Sequence, residues 1–433
     1  MQRKRHNLLL RPTYNSRKPI RPNTTAERTF FGQDASSHPL HPRSFELMQT
    51  APHSKHTMHH GWAERAGTAD TSYHRLPKDL TLFSEWPVIA SHALQQRLCT
   101  RLNALCATLG PHLQAVRTLE KGWKQAHEAD VLTVDYAIVE DGNGWDIRLV
   151  EFQAFTSLLS TGFRLHQLHS DLWPELADCP PWHDVGCDAE WLQNAREWVV
   201  GGNSPALLEH QVWQRGTLFD LYATSLLWDV PIVEPHQVEI DAQGRLFSIL
   251  NGKRNQHDQI LNRLILNELP TEHPFLENIK SAQLRWHSHP EWFFLVQKGL
   301  CADLKIPFEP RNVRADAWRE LGINPEHLVA KKMDSCGGKD LLLSPNAKDL
   351  DQLDFAKNWL VQPRYTPYPI AENSQGDAVF AEIRLIVRLD PVKAPWIAMQ
   401  IVRMYCAEQA SASFFKGREG EGATILHTPP SSE

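Results

Sequence analysis

The stretch VAKKMDSCGGKDLLL, Val329–Leu343, opens on a short apolar run. It passes through a lysine pair (Lys331, Lys332) and a glycine pair (Gly337, Gly338), then closes on a second apolar run. Glycines let a backbone approach an anion and turn its N–H groups toward it. A lysine on the preceding strand supplies a point charge for phosphate oxygens. Neighbouring strand residues face opposite ways, so only one of Lys331 and Lys332 should meet such a ligand. A further apolar strand, Trp359-Leu-Val-Gln362, follows and runs into Pro363. Strand, lysine, glycine loop, strand and polar hinge together predict a nucleotide held between two sheets. Neither GxxxxGK(S/T) nor GxGxxG occurs. Each part alone has an ordinary use, a hairpin loop or a solvated lysine pair. Their order along the chain carries the reading.

Working outward, the 433 residues suffice for two or three packed units with a sizeable core. Apolar content of 42% and charged content of 22% are those of an ordinary soluble protein. A formal charge of −6 speaks against a nucleic-acid partner, whose binding surface would be basic. No run of about eighteen apolar residues marks a membrane span, and Leu8–Leu10 is shorter than a signal peptide's apolar core. The seven cysteines include no CxxC pair and are odd in number. Reduced thiols in a cytoplasm fit them better than a disulfide framework or zinc ribbon.

The chain divides into three parts. Residues 1–75 are rich in His, Pro, Ser, Thr and Arg, and read as an extended, partly disordered arm. Its His53, His56, His59 and His60 lack carboxylate or cysteine framing, so adventitious metal binding is their expected use. Residues 76–290 begin with leucines at helical spacing, Leu94 to Leu109, which Gly110-Pro111 should stop. Two strands, Val131–Val139 and Ile147–Gln153, then make a hairpin around Asp141–Gly144. Residues 291–433 hold a helix over Glu291–Leu300 carrying Lys298, followed by the lysine and glycine-loop strands. Between them, Trp173, Trp182, Trp191, Trp198, Trp213 and Trp228 fit core packing, with an apolar pocket as the other use.

The hairpin bears Asp135 on one strand and Glu151 and Gln153 on the other. Residues two apart share a sheet face, so Glu151 and Gln153 point the same way, and Asp135 lies across from them. Two carboxylates and an amide oxygen form a hard oxygen site of the kind that takes Mg²⁺ with waters and phosphate oxygens. An exposed polar strand face is the plain alternative.

The segment Val150–Ser157, VEFQAFTS, resembles the E-x-N-A motif of glutathionylspermidine synthetase-like proteins, a circularly permuted branch of the ATP-grasp superfamily. The resemblance covers roughly residues 130–165 and 290–405. It implies an α+β, ATP-grasp-like fold, with a nucleotide between two mainly antiparallel sheets, flanking helices and the arm in front. It implies Mg²⁺ on Asp135, Glu151 and Gln153, with Gln153 standing where Asn is usual. It implies ATP on Lys298, on Lys331 or Lys332, on the loop of Gly337 and Gly338, and at the hinge residue Gln362. The hinge continues as Pro363-Arg364-Tyr365 where an acidic residue is common. Ala381–Val387 resembles instead the D-x-R strand of unpermuted relatives, which would make Glu382 the alternative metal ligand. Only Glu408-Gln-Ala follows there, so the permuted order is preferred. Arg384 and Arg403 reach phosphate in either order, as catalytic residues.

The activity implied by the resemblance is that of an ATP-dependent ligase joining a small-molecule or peptide carboxylate to an amine through an acyl phosphate. The Gln153 and hinge departures motivate a rival, a nucleotide-binding or scaffold protein without ligase chemistry. A metal-binding role for the His-rich arm is the third reading.

Overall fold

The computed structural model describes residues 45–47, 57, 58, 62, 82–116, 129–142, 144–335, 340–353, 355–390, 393–406 and 417–429. Gly337, Gly338, Cys336, Glu408, the four arm histidines and most of the expected arm lie outside the described residues. Within them the protein is mixed α+β, with several sheets, most of them antiparallel.

The predicted hairpin forms, as strands β3 (Val131–Asp141) and β4 (Gly144–Gln153). It is one edge of an eight-stranded sheet. Next to β3 come β17 (Ala378–Arg388), β18 (Trp396–Tyr405), β19 (Gly422–His427), β2 (Val88–Ala90) and β1 (Phe45–Leu47), with β16 (Ala371–Glu372) joined to β17. Only β19 and β2 run parallel. The period of two gives each face its own core. Val134, Tyr136, Ile138, Ile383 and Leu385 pack with the leucine stripe of helix His92–Val116. That helix continues through Gly110-Pro111, where a stop was expected, because Leu113 prolongs the buried stripe. Packing there offsets a local cost of about 3 kcal/mol for an interior proline.

The opposite face carries helix Leu159–Leu172. Its Gly162 sits so close to β18 that a Cβ would lie 2.5 Å from Met399 Sδ. Phe163 stacks on Trp191 at 4.7 Å between centroids, and Trp173, Trp182, Trp198 and Trp228 are buried with them, as are Met58 and Trp62. Core packing is thus the use of these tryptophans, apart from Trp213, which is exposed.

Two smaller sheets complete the site. An antiparallel sheet runs β12 (Val313–Arg314), β15 (Trp359–Pro363), β13 (Leu328–Lys332), β14 (Leu341–Leu343). A wholly parallel sheet runs β11 (Arg285–His287), β10 (Gln259–Asn262), β5 (Pro205–Leu208), β6 (Ile232–Val233). Helix Leu218–Trp228 crosses from β5 to β6, and the meander β7 (Val238–Ile240), β8 (Leu246–Leu250), β9 (Lys253–His257) leads on to β10. The helix expected over Glu291–Leu300 is instead two short helices, Trp292–Leu295 and Leu300–Asp303. Between them the backbone is captured by the end of β4. Ala154 N donates to Val296 O at 2.9 Å, and Gln297 bridges Gln153.

Candidate functional site

A cavity of about 610 Å³ opens between the hairpin side of the large sheet and the small antiparallel sheet. Ala137 and Val139 line one wall and Val329, Leu341 and Leu343 the other, giving it an apolar slot. The chain leaving β15 closes the slot through Gln362, Pro363, Arg364 and Tyr365. This crossing is fixed to the large sheet, since Glu140 N donates to Thr366 O at 2.9 Å and Tyr368 N to Ile138 O at 3.0 Å.

Beyond the slot the lining turns charged, and an irregularity in β4 sets its geometry. The β3–β4 register slips between Asp135 and Tyr136, which face Glu151 and Leu149, so Val150 is an extra, bulged residue. A bulge leaves one residue out of the ladder and re-aims its neighbours. The unpaired Val150 carbonyl accepts Lys331 Nζ at 2.9 Å, tying β13 to β4. Val150, Glu151 and Gln153 all line the cavity. Lys298 Nζ donates to Ser335 O at 2.6 Å and lies 3.6 Å from Glu151 Oε2. Two lysines thus enter from different walls and meet near Glu151. Enclosure lowers the pKa of Lys331, and the Glu151 and Glu382 carboxylates oppose that shift. Lys332 follows the alternation the other way. Its side chain is 40% exposed, with Nζ 3.9 Å from Asp334 Oδ1, and it does not line the cavity.

Asp135 departs from its expected place among free metal ligands. Its register partner on β17 is Arg384, whose Nε and Nη2 donate to Oδ1 and Oδ2, both at 2.7 Å. Arg403 Nη2 adds a third bond at 2.7 Å to Oδ2, and reaches Glu382 Oε2 at 2.9 Å. Burial would raise the Asp135 carboxyl, but the two guanidiniums outweigh it and hold it at about 2. Arg384 keeps Nη1 for Ser157 Oγ, 3.0 Å away, at the bend after β4. Burial raises the Glu382 carboxyl against the pull of Arg403.

These contacts decide which residues suit a divalent cation. Both Asp135 oxygens are occupied by arginines, so the set Asp135, Glu151, Gln153 is not assembled as three ligands. Glu151, on β4, and Glu382, on β17, both line the cavity from the large sheet, on either side of β3. A pair of carboxylates completed by phosphate oxygens and water is the hard-oxygen arrangement Mg²⁺ takes, so that pair fits. Among the described residues no cluster of three His, Cys, Asp or Glu side chains is arranged for a metal ion.

The third wall was missed in the sequence. It comes from the carboxyl ends of the parallel strands: Glu209 follows β5 and Arg263 follows β10. Arg263 Nη1 donates to Asp220 Oδ2 at 2.7 Å. Asp220 also accepts Leu158 N at 2.8 Å and Thr161 Oγ1 at 2.7 Å, so it caps helix Leu159–Leu172 from outside while holding Arg263. Arg215 Nη2 donates to Glu209 Oε1 at 2.8 Å and pairs with Glu268. The available signal was two short, mostly apolar runs, ALL before Glu209 and ILN before Arg263, each followed by a charge, with a helix, a strand and a three-stranded meander between them.

Burial pushes the Glu209 carboxyl up to about 7, although Arg215 opposes it. A carboxyl raised on folding binds its proton more tightly in the folded state. Its stabilising contribution is full below the ordinary value of 4.5 and lost as pH rises through about 7. Glu209→Gln, a neutral isostere, should therefore match the wild type near pH ~5 and exceed it near pH ~8, by up to about 3 kcal/mol. Thermal melts at the two pH values check this. Equal melting temperatures at both would mean that Arg215 fully compensates the charge.

Of the residues singled out in the sequence, Glu151, Gln153, Lys298, Lys331, Gln362, Glu382, Arg384 and Arg403 line this one cavity. Asp135 lies behind its arginines, and Lys332 points away. No protein-family model matches the chain, and no curated protein matches it in sequence.

Proposed function

We propose that the protein is an ATP-dependent carboxylate–amine ligase of ATP-grasp type, working through an acyl phosphate. The observation that carries this reading is the convergence of Lys298 and Lys331 with Glu151, Glu382 and Arg403 at the charged end of a slot between two antiparallel sheets. The apolar slot, with Gln362 at its hinge, accommodates a planar base. The lysines and arginines meet the phosphates.

In the reaction, an oxygen of the substrate carboxylate attacks the γ-phosphorus and ADP departs. The amine nitrogen then attacks the acyl carbon, the C–O bond to phosphate breaks, phosphate leaves, and the nitrogen loses a proton. A loose phosphoryl-transfer transition state spreads negative charge over its oxygens, so the cations must be in place beforehand. Asp135 does this for Arg384 and Arg403 by fixing both guanidiniums. Glu151 and Glu382 would hold Mg²⁺, which when bound neutralises phosphate charge. No side-chain nucleophile is needed.

The test is a screen of the full chain with ATP, Mg²⁺, and pools of carboxylates, amino acids and polyamines, in the presence of hydroxylamine. ADP formation together with a trapped hydroxamate is expected for the productive carboxylate, and Glu382→Gln should abolish both. Nucleotide binding with no ADP from any pool would favour the rival, a binding protein without ligase chemistry. The engagement of Asp135 by arginines, which removes one expected metal ligand, is the observation on that rival's side.

A further inference from the structure

The parallel sheet brings chemistry to the cavity that nucleotide binding does not use. Its order β11-β10-β5-β6 contains a reversal. From β5 the chain crosses to β6 on one side, and from β10 it crosses to β11 on the other. Crossovers of one hand that travel in opposite directions lie on opposite faces of the sheet. They leave a crevice beyond the carboxyl ends of the two strands where the direction changes, and such crevices hold ligands in open parallel sheets. Here those strands are β5 and β10. Their register ends on the pair Leu208 and Asn262. The residues that follow, Glu209 and Arg263, are therefore neighbours at the switch point, and both line the cavity.

Their state is that of a site made to receive a ligand. Arg263 is 7% exposed, and its Nε is buried with no hydrogen-bond partner among the described residues. Its counterion Asp220 also serves Leu158 and Thr161. A guanidinium offers five donors in a planar fork that suits a carboxylate. Beside it, both bonds to the Glu209 carboxylate, from Arg215 and from His210 N, fall on Oε1. Glu268 stands on the far side of Arg215. One end of this crevice is built for an anion and the other for a cation.

We propose that this end of the cavity binds the amine-bearing partner, and that the partner is an amino acid or short peptide in its zwitterionic form. Arg263 takes its carboxylate, and Glu209 and Glu268 face its ammonium group. Naming it the amine-bearing partner rests on the ligase reading, whereas the zwitterion site itself does not. The raised Glu209 carboxyl agrees with a group waiting for a positive charge that an incoming ammonium would supply.

Saturation-transfer NMR on the full chain tests this without turnover. The probes are a pool of free amino acids, the matching amino-acid amides, the matching N-acetyl amino acids, and spermidine. Members of the free amino-acid pool should give signals that the amides and N-acetyl forms give about tenfold more weakly or not at all. Arg263→Gln and Glu209→Gln should each weaken binding by about tenfold or more. Circular dichroism checks the fold of both variants. If Arg263→Gln does not fold, Arg263→Lys keeps a charge beside Asp220 but loses the fork, and should show the same loss. Silence from free amino acids on folded wild-type protein would overturn the proposal. So would amides or spermidine binding as well as the acids, or variants binding as well as the wild type. Affinity for a non-hydrolysable ATP analogue is measured on the same samples. Amino-acid binding without nucleotide binding sinks the ligase reading and keeps this site. Nucleotide binding without amino-acid binding does the reverse.

Discussion

Asp135→Ala should lower folding stability by about 3–5 kcal/mol, the scale for breaking a buried ion pair from one side. Asp135 is 1% exposed, and its two oxygens accept three bonds from Arg384 and Arg403. Without it, two guanidiniums remain on the inner sheet face with Glu382, Ser157 and the more distant Glu151 as partial compensation. Urea denaturation of wild type and variant gives the difference directly. The same linkage has a sign in pH. The Asp135 carboxyl lies below its ordinary value of 3.8 in the folded protein, so its contribution is present above that value and lost as pH falls toward 2. A metal ligand would behave otherwise, because its loss removes turnover and leaves the fold. An Asp135→Ala protein with wild-type stability and no turnover would return Asp135 to the metal.

The second large effect concerns nucleotide affinity. Lys298→Met with Lys331→Met should weaken ATP binding by about a hundredfold or more, since each charge-assisted contact is worth about 1.5–3 kcal/mol. Methionine keeps the length of the stem and its packing. Lys332→Ala serves as the control and should leave affinity unchanged, because that side chain faces solvent. Isothermal titration with Mg-ATP reads all three proteins. Wild-type affinity in the double variant would remove the basis for a nucleotide in this cavity.

Much of this geometry could be read in the chain because it rests on local periodicity. The alternation in Val131–Val139 and Ile147–Gln153 predicts the hairpin, and the apolar runs around Lys331 and Gln362 predict the antiparallel strands β13, β14 and β15. What could not be read was long-range partnership. That Asp135 would face Arg384 depends on β17 pairing with β3 across a sequence separation of 249, which no local pattern encodes. The choice between Lys331 and Lys332 needs the direction of the strand face, which neighbours fix. The short parallel strands β5 and β10 are four residues each, too short for periodicity to separate them from loops. The Glu291–Leu300 helix fails for a tertiary reason, since pairing with the end of β4 is worth more than continuing the helical ladder.

The bulge at Val150 also fixes how this hairpin tolerates changes of length. Position 150 contributes its carbonyl to Lys331, and any residue with a backbone carbonyl would do the same, so the side chain answers only to the cavity it lines. The count of residues is fixed. Deleting one residue between Trp145 and Val150 would restore a regular ladder, with Glu151 still opposite Asp135 but without the bulge that re-aims the strand beside the cavity. It would also withdraw the oxygen that ties β13 to β4. Insertions at the turn, around Gly142 and Gly144, leave the register untouched. The hairpin is thus frozen in length at its cavity end and free at its tip.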